Sequence, residues 1–284
     1  MTSSALSFRT PAGEQGWRRL LAEPRSAVVA LDFDGTLAPI VADPAAAVAH
    51  PGATPALASL APRLGQLAIL TGRPAHVAVE LGGLAGVTGL ERLVVLGHYG
   101  RERWSAASGV VSSAPPPADL SSVATQLPGV LAAAGASDAF VEDKGVALAV
   151  HVRRVLDPSA ALERLRGPLT ELAAQAGLMV EPGRLVLELR PPGTDKGVAL
   201  RALVGEVGAR TVVFAGDDLG DLAAFDAVDA CRREGLAGLC VCAASDEVST
   251  LAERADLLLD GPSGVVAWLA DLAARLGVDS SYQG

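Results

Sequence analysis

The sequence predicts an α/β fold: a doubly wound parallel-sheet core interrupted by an inserted α+β domain. Three observations predict it. Short apolar runs alternate with helical stretches in β-α-β order over residues 27–96, and again over 196–276. Those runs are apolar throughout rather than alternating, as strands covered on both faces are. Between them the pattern changes, at the Ser-, Gly- and Pro-rich stretch Ser105 to Pro117, and it changes back at Pro191-Pro192-Gly193. The expected domains are 1–104 for the first part of the core, 105–190 for the insert, and 191–284 for the rest of the core.

The elements follow in order. A polar lead-in contains a short helix, Trp17 to Ala22, and Ala27 to Leu31 is a buried strand. Thr54 caps a helix to Leu64 with Pro55 at its first position, and Gln66 to Leu70 is the second strand. Pro74 opens a helix to Leu81, and Leu93 to Leu96 is the third strand. In the insert, Asp119 to Ala134 is helical, and Val141 to Arg153 reads as one alternating strand with Val146, Leu148, Val150 and Val152 on one face. Asp157-Pro158 starts a helix to Ala176, and Leu178 to Val180 pairs with Leu185 to Leu189 as a hairpin. The core resumes with a helix from Lys196 to Val207, a strand from Thr211 to Ala215 and a helix from Leu219 to Val228. A strand at Leu239 to Cys242 and a closing helix from Pro262 to Leu276 complete it.

Composition bounds the function. The chain has 284 residues, half of them apolar, enough for a sizeable core. The net charge is -9 with no Lys/Arg run, which argues against nucleic acid and anionic membrane surfaces. No apolar run approaches a membrane span, and Met1 to Leu20 lacks the apolar segment of a signal peptide. Cys231, Cys240 and Cys242 have no His nearby and read as plain thiols in a reduced, cytoplasmic compartment. A monomer is expected.

Chemistry concentrates where strands end. Ala27 to Leu31 runs straight into Asp32 and Asp34, and a buried strand does not carry two carboxylates without a compensating cation. Thr71 ends the second strand beside a helix N-terminus, where a hydroxyl either binds phosphate or simply caps the helix. Of 23 basic residues only Lys144 and Lys196 are lysine. Lys196 opens a helix, against the macrodipole, so it either faces an anion or is solvated. Asp217, Asp218 and Asp221 follow a buried strand, and they either bind metal or favour a helix start. Glu142 and Lys144 lie two apart and either bond sugar hydroxyls or form a surface ion pair.

Taken together, Asp32-Phe33-Asp34-Gly35-Thr36-Leu37, Thr71-Gly72-Arg73, Lys196 and Gly216-Asp217-Asp218 resemble the four ordered motifs of the haloacid-dehalogenase phosphohydrolases. Glu142-Asp143-Lys144 with His151-Val152-Arg153 resembles the cap signature of trehalose-6-phosphate phosphatases, and Gly97 to Glu102 and Val186 to Pro191 resemble further motifs of that family. The likeness covers about 27 to 275. Gly220 and Leu222 depart from the usual Thr and Glu of the fourth motif, and Tyr99 from the usual His or Asn.

The resemblance implies a Mg²⁺-dependent phosphatase acting on trehalose 6-phosphate. Asp32 would be the nucleophile, Asp34 the general acid and base, and Thr71 and Lys196 the holders of the phosphoryl oxygens. Asp32, Asp34, Asp217, Asp218 and Asp221 would serve the metal. Gly72, Arg73, Gly100, Glu102, Glu142, Lys144, His151, Arg153 and Glu188 would bind substrate, with the insert closing as a lid. Other members of the superfamily remain as readings: a phosphatase for sucrose phosphate or a glycosyl-phosphoglycerate, or a phosphomannomutase. A phospho-accepting receiver domain also uses acids, a hydroxyl and a lysine, but is much shorter.

Overall fold

A computed structural model describes residues 6–41, 43–113, 120–183, 185–244 and 249–278. The chain divides into two compact units, one of Met1–Ser113 with Asp195–Gly284 and one of Ala114–Thr194.

The larger unit is built on one eight-stranded sheet. Its strands are β1 (Ala27–Leu31), β2 (Gln66–Leu70), β3 (Leu93–Gly97), β4 (Glu102–Ser105), β5 (Val110–Ser113), then, after the second unit, β10 (Thr211–Gly216), β11 (Ala237–Ala244) and β12 (Leu257–Asp260). Their spatial order is β12-β11-β10-β1-β2-β3-β4-β5. All neighbours from β12 to β3 are parallel, and the β3–β4 and β4–β5 pairs are antiparallel. Strand order reverses between β1 and β10, with Ala27 opposite Thr211 and Leu31 opposite Ala215. The carboxyl ends at such a switch point form the crevice of an open α/β sheet.

Alternation along β1 shows why the sheet needs two covers. Ala27, Val29 and Leu31 face one apolar cluster, and Val28 and Ala30 face another. The first is closed by α1 (Pro11–Ala22), α2 (Ala53–Leu60), α3 (Ala75–Gly82) and α9 (Gly261–Val278). The second is closed by α6 (Lys196–Val207), α7 (Leu222–Arg233) and α8 (Ser249–Arg254).

The smaller unit holds α4 (Leu120–Ala133), β6 (Phe140–Asp143), β7 (Leu148–His151), α5 (Pro158–Gln175), β8 (Met179–Gly183) and β9 (Val186–Arg190). Its antiparallel sheet runs β6-β7-β9-β8. Leu148, Val150, Leu187 and Leu189 bury one face against Leu165, Leu169 and Leu172 of α5 and Val123 and Leu127 of α4. Asp157 caps α5 by accepting from the Ala160 N–H at 3.1 Å.

Several expectations change. The insert boundaries expected at 105 and 190 fall at 114 and 194, because 102–113 form a hairpin on the edge of the large sheet. The strand expected over 141–153 is two strands. Gly145 turns the chain at φ 75°, and the Lys144 N–H donates to the Ala147 carbonyl at 3.0 Å. Thr54 does not cap α2: Gly52 does, and the Thr54 hydroxyl donates to the Gly82 carbonyl instead. Helix α1 starts at Pro11, behind a Thr10 cap, rather than at Trp17. The helix expected from Leu219 begins as a 3₁₀ turn, Leu219–Asp221, and α7 follows at Leu222. Part of the Ser105 to Pro117 linker, residues 114–117, lies outside the described residues, as does Asp119, the expected start of α4.

Candidate active site

The carboxyl ends of β1 and β10 deliver the acids. Asp32 continues the β1 ladder, its N–H donating to the Ala215 carbonyl at 2.8 Å. Asp217 follows β10 directly. Between them Gly35 takes φ 74°, and a Cβ there would overlap the Asp217 carboxylate, so only glycine fits both the turn and the contact. Lys196 is the first residue of α6, capped by Asp195. Its Nζ stands 2.7 Å from Asp32 Oδ1 and 2.6 Å from Asp221 Oδ1. The lysine therefore faces anions and is not solvated, being 5% exposed.

Asp221 uses both of its oxygens. Oδ1 accepts from Lys196, and Oδ2 accepts from the Asp217 and Asp218 N–H groups at 2.9 and 3.3 Å. Asp218 is exposed, and its Oδ1 accepts from the Gly220 N–H at 2.8 Å as a cap. Asp32, Asp217 and Asp221 each place a carboxylate oxygen within 4.8 Å of the others; Asp218 and the Asp34 side chain stand outside this group.

The electrostatics are those of three acids and one ammonium buried in contact. Burial raises Asp32 well above the carboxylate range; Lys196 opposes this, while Asp221, Asp217 and Asp218 add to it. Asp217 is pushed up to about 8 by burial and then by the Asp221 and Asp218 charges. Burial raises Asp221 too, against Lys196. Burial alone would lower Lys196, but Asp221 and Asp32 outweigh it and hold the ammonium well above the lysine range. Fully ionised, three buried carboxylates against one ammonium would carry two negative charges, which one divalent cation would balance. Asp217 Oδ1 is buried without a hydrogen-bond partner, an acceptor aimed at such an ion. An all-oxygen donor set suits Mg²⁺, so these residues fit the expected metal.

Beside this cluster, Thr71 is buried and its Oγ1 accepts from the Arg73 N–H at 3.1 Å. Arg73, expected on substrate, forms a two-pronged pair with Asp34, with Nε–Oδ2 and NH2–Oδ1 both 2.7 Å. Glu102, also expected on substrate, accepts from the Ala75 N–H at 2.7 Å at the start of α3 and stands 3.8 Å from His98 Nε2. It serves the helix start. Gly100 is exposed, at φ 94°.

In the smaller unit, Glu142, Ala149, Glu188 and Glu181 lie in one row across the sheet, on the face away from α4 and α5. Each glutamate holds a basic residue: Glu142 Oε2 with His151 Nε2 at 2.9 Å, Glu188 Oε2 with Lys144 Nζ at 2.7 Å, and Glu181 Oε2 with Arg190 NH2 at 3.0 Å. Glu142 and Lys144 thus have separate partners. Arg153 is exposed and lies beyond the end of β7.

The family model for trehalose-phosphatase matches residues 30–259. The chain belongs to the trehalose-phosphatase family. It is 32% identical over 248 residues to the trehalose-6-phosphate phosphatase of Escherichia coli, covering 86% of this chain and 86% of that one. It is 35% identical over 274 residues to an uncharacterized glycosyl hydrolase of Mycobacterium tuberculosis, covering 91% of this chain but only 19% of that protein's length. Among solved structures, the C-terminal domain of Candida albicans trehalose-6-phosphate phosphatase superposes with a TM-score of 0.74 at 22% identity, covering 96% of this chain and 99% of that one, which shows the fold.

Within this trehalose-phosphatase family chain, Glu181 joins the row of paired glutamates without a motif of its own. Its signal was weak, one glutamate beside a Pro-Gly turn. The three cysteines are free and buried, and burial pushes the Cys242 thiol up to about 11 and Cys240 higher still. They are inert packing groups. No helix among the described residues is long and apolar enough to cross a membrane.

Proposed function

We propose that this chain hydrolyses trehalose 6-phosphate to trehalose and phosphate through an aspartyl-phosphate on Asp32, with Mg²⁺ as cofactor. The observation that carries the reading is the Lys196 ammonium set between Asp32 and Asp221 at the sheet's switch point. One oxygen of Asp32 is held by Lys196, and the carboxylate attacks phosphorus with its charge already oriented. Thr71 and Lys196 hold phosphoryl oxygens as charge develops. Asp34, once out of the Arg73 fork and carrying a proton from solvent, gives that proton to the departing sugar oxygen and then takes one from the water that releases phosphate. Asp32, Asp217 and the Asp34 carbonyl would hold the metal. When bound, the cation neutralises charge on the phosphoryl oxygens.

The substrate rests on the smaller unit and on the relatives. Glu142, His151, Lys144 and Glu188 supply hydrogen-bonding groups for sugar hydroxyls, and the E. coli relative carries the name of this activity. The buried reduced thiols accord with a cytoplasmic enzyme. The test is phosphate release from trehalose 6-phosphate by the wild type and by Asp32→Asn, which keeps the shape but not the attacking charge. Turnover lost in a folded Asp32→Asn supports the reading. Near wild-type turnover in that variant removes Asp32 from the chemistry.

A further inference from the structure

Backbone strain gathers at one place against the site. His98 and Tyr99 are consecutive, neither is glycine, and both are left-handed, at φ 47° and 57°. Such residues are unfavourable alone and persist where surroundings hold them. Here the turn aims two amides at one loop. The His98 N–H donates to the Arg73 carbonyl at 2.9 Å, and the Tyr99 N–H to the Thr71 carbonyl at 3.0 Å. Those carbonyls flank Gly72, and the Tyr99 ring lies directly on it. A Cβ at residue 72 would stand 2.7 Å from the phenol oxygen and 2.9 Å from Cζ. Gly72 is not among the left-handed glycines, so its lack of a side chain answers to this contact and not to its backbone angles.

The gripped loop carries two working groups. Thr71 turns its hydroxyl to the Arg73 N–H, and the Arg73 fork holds both oxygens of Asp34. We propose that Tyr99 is a positioning residue. It presses on Gly72 and fixes the Thr71–Arg73 loop, and with it the Thr71 hydroxyl and the Arg73 fork that Asp34 must leave and return to in each turnover. This rests on the reading of Asp34 and Thr71 given above. Because Tyr99 acts through the loop, it governs turnover more than substrate affinity.

The test compares Tyr99→Phe, Tyr99→Asn, Tyr99→Ala, Gly72→Ala and the Gly72→Ala/Tyr99→Ala double variant, with trehalose 6-phosphate and Mg²⁺. Wild-type turnover, abolished in Asp32→Asn, checks the underlying reading separately. Tyr99→Phe keeps the ring on Gly72 and should retain more turnover than Tyr99→Asn or Tyr99→Ala. Asn tolerates left-handed backbone. Tyr99→Asn should therefore melt no lower than wild type, yet lose about ten- to a hundredfold in kcat with KM within about twofold. Gly72→Ala should lose at least as much, and the double variant should recover to the level of Tyr99→Ala alone, since the clash has gone. Wild-type kcat in Tyr99→Asn would overturn the proposal. So would losses that merely add in the double variant, or a kcat loss in Tyr99→Asn matched by a fall in melting temperature. The last is the mark of a structural role only.

Discussion

Lys196 holds the buried acids together, and its shape matters as much as its charge. A compact ammonium reaches Asp32 and Asp221 at 2.7 and 2.6 Å, whereas a planar guanidinium needs more room and two aligned acceptors. Lys196→Arg should lower kcat about tenfold or more, some 1.4 kcal/mol of barrier, in steady-state phosphate release. Asp217 gives a pH signature. Its carboxyl is raised from 3.8 to about 8, so between those values the metal-free native state binds more protons than the unfolded chain. Stability contributed by this group is complete below the lower value and is lost as pH rises toward the upper. In EDTA the melting temperature should fall from pH 5 to pH 8, and excess Mg²⁺ should raise it most at pH 8. A flat profile with no Mg²⁺ effect would contradict the cation site. Asp32 and Lys196 were legible in the sequence, one by its place after an apolar strand, the other by the rarity of lysine. The Arg73 fork on Asp34 and the full use of Asp221 were not, because spacing says which residues meet but not which oxygens are taken.

Strands and helices with uniform burial were also legible: β1, β2, β3 and β10 are apolar runs in the chain and buried runs in the fold. What escaped was elements whose evidence lies elsewhere. β4 and β5 are mixed, half-exposed strands specified by pairing on β3 rather than by their own pattern. β12 is a four-residue run, too short to show a period, and exists by pairing with β11. The break between β6 and β7 was hidden because Val146 keeps the alternation while Gly145 turns the chain. That turn gives Lys144 its place beside Glu188, and the β6–β7 register gives Glu142 its place beside His151. If this sheet face reads the sugar, Glu142→Ala and Lys144→Ala should each cost about 1.5–3 kcal/mol in kcat/KM for trehalose 6-phosphate. For a small aryl phosphate, which lacks the hydroxyls, the same changes should be nearly neutral. Equal losses on both substrates would assign these residues to folding of the smaller unit.

On the scale of the whole chain, a parallel sheet that winds both ways from β1 and β10 brings together acids 185 residues apart, Asp32 and Asp217, while the chain between them builds a second unit with its own core. The order of motifs reported this architecture because each motif must end a strand or start a helix at the same edge. The edges of the insert were less clear, since Ser, Gly and Pro mark the β4–β5 turn as readily as a domain boundary. The larger unit supplies the buried acids and the lysine; the smaller supplies a polar face of paired side chains. As proposed, the chain is a Mg²⁺-dependent phosphatase selective for one disaccharide phosphate. Its most direct test is phosphate release across a panel of trehalose 6-phosphate, sucrose 6-phosphate, glucose 6-phosphate, mannose 6-phosphate and a glycosyl-phosphoglycerate, each in EDTA and in excess Mg²⁺. Turnover is expected only with Mg²⁺, with a kcat/KM for trehalose 6-phosphate at least about tenfold above the others. Undiminished release in EDTA, or a preference for another sugar phosphate, would contradict it.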